Sequence, residues 1–99
     1  MKPYWFHPKA RAEANAAFEY LRSKSLLAAL NFDEKLDAAY HLMRKFPRLH
    51  APYLHGTRRV LLDRYPYSVV YRELPRTIEV VAVAHAKRRP GYWANRLKQ

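Results

Sequence analysis

Cysteine is absent from this chain of 99 residues. That excludes a disulfide framework, thiolate chemistry and a cysteine-held zinc. Glycine occurs only at Gly56 and Gly91, so there is no glycine-rich loop to cradle a phosphate. Long apolar runs are missing too. The longest clean one, Val80 to Ala84, is far too short to span a bilayer. The opening Met1-Lys2-Pro3-Tyr4 lacks the apolar core of a secretion signal. These absences lead to the expectation of a soluble, cytoplasmic protein with no membrane contact. His41, His50 and His55 show no zinc-ligand spacing, and no metal or cofactor is expected.

The other scarcity is negative charge. Nineteen Lys and Arg stand against eight Asp and Glu, a formal +11. The last fourteen residues carry five basic groups and no acid. A field of this size attracts polyanions: nucleic acid, ribosome or an acidic protein segment. Arginine outnumbers lysine twelve to seven, which favours planar recognition of phosphate or carboxylate. Apolar residues make up 49% of the chain, enough for one folded domain spanning residues 1–99.

Periodicity orders the chain. A short strand is expected over Tyr4 to His7. Pro8 suits a first helical position, where a missing N–H costs nothing. Ala10, Ala14, Ala17 and Leu21 then follow helical spacing, predicting a helix to about Lys24. A second helix is expected from Asn31, because Asn31 with Glu34 forms a capping-box pattern. Its stripe is Phe32, Leu36, Ala39, Met43 and Phe46, with Tyr40 at the edge, and Pro47 stops it. After a loop to Gly56 the pattern becomes β-rich: Arg58 to Asp63, Tyr67 to Leu74 and Thr77 to His85. In the last of these, Ile78, Val80, Ala82 and Ala84 are expected on one face, and Glu79, Val81, Val83 and His85 on the other. Arg72, Glu73, Arg76 and Glu79 read as cross-strand surface charges. Pro90 can open one short helical turn in the tail. The fold class is α+β, in the order β-α-α-β-β-β: a helical hairpin packed on an antiparallel sheet in two layers. The first strand is expected at an edge or beside the last strand.

This order, with Arg58-Arg59-Val60-Leu61-Leu62, then Tyr65-Pro66-Tyr67-Ser68-Val69-Val70-Tyr71, then Ile78 to His85, resembles the RelE/ParE toxins of type II toxin–antitoxin modules. The tail Lys87-Arg88-Arg89-Pro90-Gly91-Tyr92-Trp93 and the start Phe6-His7-Pro8 with Ala10 and Glu13 are also similar to that family. The resemblance implies a growth-inhibiting toxin of a plasmid-stabilisation module, held inactive by an acidic antitoxin laid across hairpin and sheet. It implies one of two targets. RelE-like members cleave messenger RNA in the ribosome; ParE-like members inhibit DNA gyrase. Leu61 and Ser68 depart from the basic residues of the RelE-like set, whereas Tyr65-Pro66-Tyr67 and His85 look ParE-like, so the reading leans to gyrase.

Cleaving RNA without metal needs an acid, a base and cations around the phosphate. If the chain is RelE-like, the catalytic candidates are Arg59, His85, Arg88 and Tyr92. His85 is the acid–base choice, since an imidazole titrates near neutrality. Arg58, Arg64, Lys87, Arg89 and Trp93 are candidates for binding nucleic acid or another target. Each has a plainer alternative: His85 ends a strand, the basic run is a solvated face, and Tyr92 and Trp93 pack the tail.

Overall fold

The computed structural model describes residues 1–98. Strand β1, Tyr4–Phe6, runs directly into helix α1, Pro8–Lys24. Pro8 takes the first helical position, and the His7 ring caps the helix by accepting from the Lys9 N–H at 3.1 Å. Ala10 and Ala17 bring α1 close onto the sheet, since alanine allows near approach of the helix backbone.

Helix α2, Leu26–Lys45, starts five residues before the expected Asn31. Its cap is Ser25, whose Oγ accepts from the Ala28 N–H at 3.2 Å. Leu26, Leu27, Ala28, Ala29 and Leu30 are strong helix formers, so the helix extends back to the first residue able to cap it. Asn31 lies inside the helix and accepts from the Tyr65 hydroxyl instead. Phe32, Leu36, Ala39, Tyr40 and Met43 are buried as the stripe predicts, but Phe46 caps the helix and stays half exposed.

Three antiparallel strands follow: β2 Arg58–Leu61, β3 Tyr67–Glu73 and β4 Ile78–His85. β1 adds beside β4, but in parallel, so the sheet is mixed, in the order β1-β4-β3-β2. The two helices cover one face. Tyr67, Val69 and Tyr71 point into the core beneath them, together with Ile78 and Val80.

The alternation expected along β4 holds only at its start. Opposite Tyr71 stands Val80 and opposite Val70 stands Ala82, which leaves Val81 as an extra residue. Such a bulge reverses the facing of every residue beyond it. Val83 therefore joins the helix-side core, while Ala82 and Ala84 face the other way. Glu79, expected at the surface, is only 1% exposed and is paired across the strands with Arg72.

The far face of the sheet is not open either. The tail turns back after His85, and its 3₁₀ helix Ala94–Lys98 follows the buried Trp93. Val70, Val81, Ala82 and Trp93 form a second small core, with Tyr53, Tyr92 and Leu97 against it. The expected two layers thus gain a thin third one. Truncating Trp93→Ala should cost about 3–5 kcal/mol, a large share of the stability of a domain this small. Urea unfolding followed by circular dichroism measures it; an unchanged midpoint would mean that the tail is not part of the fold.

Candidate functional site

β1 is three residues long and β4 is eight. The last β1-side contact is the bond from the His7 N–H to the Val80 carbonyl. Beyond it, on the side away from β3, no strand among the described residues covers the edge of β4, and unpaired strand backbone is costly when buried. Two side chains take the missing strand's place. Glu13 of α1 accepts from the Val83 N–H at 3.1 Å. Arg96 of the tail donates to the Val81 carbonyl at 3.0 Å. The same two side chains pair through both terminal guanidinium nitrogens, at 2.8 and 2.9 Å. The Tyr92 hydroxyl adds a fourth bond to Glu13, at 2.6 Å.

This network sets the protonation of its members. Burial by itself raises the Glu13 carboxyl, but the bonds from Arg96 and Tyr92, the Arg96 charge and the Val83 N–H outweigh it and hold the group below its ordinary value. Burial, the bond to Glu13 and its charge push the Tyr92 hydroxyl upward. At neutral pH Tyr92 is therefore protonated and donating, a poor base and a poor acid.

Next to the network, the far face of the sheet carries cations. Arg88 lies over the Tyr92 ring, 3.9 Å from its centre, and Arg59 lies over Tyr53 at 4.1 Å. Between these stacked pairs is a cavity of about 70 Å³, lined also by Ser68, His85, Arg89 and Trp93. Among the described residues, no carboxylate lines it. His85 is anchored on both sides. Its Nδ1 accepts from the Lys87 N–H at 3.0 Å, and its ring stands edge-on to Tyr67 at 4.9 Å.

Of the residues named from the sequence, the fold gathers Arg59, His85, Arg88, Arg89, Tyr92 and Trp93 around this cavity. Trp93, expected to bind a target, is buried against the sheet with Tyr53 and His55 beside it. Three candidates lie outside the cavity. Arg58 spans the loop by donating to the His50 carbonyl. Arg64 sits exposed in the β2–β3 turn with a φ of 72°. Lys87 is exposed and contributes its backbone N–H to His85. Tyr53 and Arg96 are the members that sequence reading missed. Arg96 lies 83 residues from Glu13, and no local pattern links them. Among the described residues, no group of three or more His, Asp or Glu is arranged to hold a metal ion, and no helix is long and apolar enough to cross a membrane.

Residues 4–90 match the family described as ParE toxin of type II toxin-antitoxin system, parDE. Among solved structures, a chain of the "Chromosomal ParDE TA system from P. aeruginosa" superposes with a TM-score of 0.72 at 18% identity, covering 88% of this chain and 98% of that one. At that identity the likeness speaks for the fold. Comparison with curated proteins finds no match.

The depressed Glu13 carboxyl makes the tail acid-sensitive. The unfolded chain binds the Glu13 proton more readily than the folded one, so stability rises with pH across this titration. The contribution is complete above the ordinary glutamate range and is lost as pH falls through the lower folded value. Glu13→Gln should cost about 1.5–3 kcal/mol at neutral pH and flatten the loss of stability below about pH 5. Urea midpoints measured from pH 7 to pH 3 read both effects; parallel profiles for the two proteins would refute the assignment.

Proposed function

Because the chain belongs to the ParE toxin family of type II toxin–antitoxin systems, we propose that it is a toxin that acts by binding, with DNA gyrase as its target and an acidic antitoxin as its keeper. The observation carrying this reading is that the Tyr92 hydroxyl, one of the acid–base candidates, is committed to the fold. Tyr92 donates a hydrogen bond to Glu13, and the Nδ1 of His85 is occupied by the Lys87 N–H. A nuclease of this kind needs such groups free to exchange protons with a 2′-hydroxyl and a leaving oxygen. A binder needs only the shape and the charge.

An acidic partner follows from the charge balance. Five of the eight carboxylates are used in ion pairs, Glu13, Glu19, Asp63, Glu73 and Glu79, so the cations of the tail and sheet face solvent with few counter-charges. The hairpin tip supplies an apolar surface to match: Tyr20, Leu26, Leu27 and Leu30 are exposed, Leu27 by 77%. An amphipathic acidic segment laid there would bury leucines while its carboxylates neutralise basic residues.

A second reading, cleavage of messenger RNA, draws support from the convergence of Arg59, Arg88 and Arg89 on one cavity with no carboxylate among its described lining residues. The two readings differ in what an unmodified active chain does to cells. Expressed without its antitoxin, the protein should stop DNA synthesis and disturb supercoiling while protein synthesis continues at first. Tyr92→Phe, which removes only the hydroxyl, should remain toxic. Early loss of protein synthesis with cut messages, abolished in Tyr92→Phe and Arg88→Ala, would replace gyrase binding by RNA cleavage. Pulse labelling of DNA, RNA and protein distinguishes them.

A further inference from the structure

The end of α2 opposite the hairpin tip carries a second apolar anomaly. Phe46 is 49% exposed and Leu49 is 62% exposed, side by side in a shallow depression of about 400 Å³. Loose chain does not explain the exposure. The Leu49 N–H bonds to the Phe46 carbonyl at 3.1 Å. The buried Tyr71 hydroxyl donates to the Pro47 carbonyl at 2.8 Å, and Arg48 is paired with Glu73 at 3.2 Å. The turn is thus tied to the sheet from beneath, and its two large apolar side chains are held outward at a fixed spacing. Presenting apolar groups this way spares a ligand the cost of ordering the surface on binding.

The rim decides what can bind. Lys45 lies 5.6 Å from the Phe46 ring. Lys2 and Arg48 both hold Glu73, the one carboxylate among the described residues lining the depression, and the Lys2 bond, opposed by burial and helped by the Arg48 bond and both charges, keeps it below its ordinary value. Three cations, Lys2, Lys45 and Arg48, thus stand against the single negative charge of Glu73, and the rim is positive. A second copy of this +11 chain would be repelled. An acidic segment would be drawn in and could seat a leucine or aromatic side chain between Phe46 and Leu49.

We propose that the Phe46–Leu49 turn is a docking surface for an acidic protein segment bearing a leucine or aromatic anchor, separate from the hairpin tip. The 20 residues of α2 place the two surfaces about 30 Å apart, so both can be occupied at once. This surface is independent of the gyrase and antitoxin readings, and its test does not depend on toxicity.

The probe is a synthetic peptide with a Leu-Phe pair flanked by glutamates, titrated at low salt into the purified, isotope-labelled full chain and followed by amide chemical shifts. Shifts are expected across residues 45–50 and at Glu73. Affinity should fall about tenfold or more in Phe46→Ser/Leu49→Ser, and also in Lys45→Glu, an exposed substitution that leaves the core untouched. A spectrum unchanged away from the turn verifies that each variant is folded. Three outcomes would overturn the proposal: no binding, shifts centred on Tyr20 to Leu30 or on the tail, or equal binding of a peptide carrying lysines in place of the glutamates.

Discussion

The bond set joining Glu13, Arg96 and the free edge of β4 is the constraint on which the rest of this small domain depends. A three-residue β1 cannot cover an eight-residue β4. The gap falls where the strand is buried between α1 and the tail, so its backbone groups must find partners there. A carboxylate from the helix and a guanidinium from the tail provide them and neutralise each other in doing so. Buried charges are tolerable when paired and hydrogen-bonded in this way. The arrangement locks three elements to one another: α1, β4 and the tail.

The tail's composition gains its meaning from that lock. Tyr92, Trp93 and Arg96 fall within five residues, and each does a different task. Trp93 fills the second core, Tyr92 completes the Glu13 cluster, and Arg96 closes the strand edge. Of the nuclease-like candidates, Tyr92 is therefore one that fastens the tail down. Arg59 and Arg88 remain exposed, each stacked on a tyrosine. Stacking keeps an arginine ordered while leaving its N–H groups available at the ring's edge. The result is a cationic surface that is rigid, and rigidity favours recognition of a partner's shape.

Apolar exposure is distributed with equal economy. The core accepts only the inward face of α2, and the leucines of its first turn lie beyond the sheet's reach. At the other end, Phe46 passes the helix cap before it can turn inward. Two unburied patches thus stand at the ends of one helix, in a chain whose charge discourages contact with itself.

Much of this was legible in the residues. The class of every long element, the helix-side face of α2, the cation excess and the lack of thiols are all read directly from the residues. Pro8 marked the start of α1, and Pro47 marked the end of α2. The start of α2 was misplaced because two residues, Ser25 and Asn31, can both cap, and the helix propensity of the five residues between them decided in favour of the first. The bulge at Val81 left no mark, since Val80 to Ala84 is apolar on both faces and its register depends on the strand across from it. The burial of Glu79 and Trp93 was hidden for the same reason: a side chain's exposure depends on which distant segment returns to cover it. Sequence by itself determined which elements form and what charge they carry, because those properties are local. Only tertiary structure decided which catalytic candidates are free, because Glu13 and Arg96 meet across 83 residues and no periodicity reaches that far.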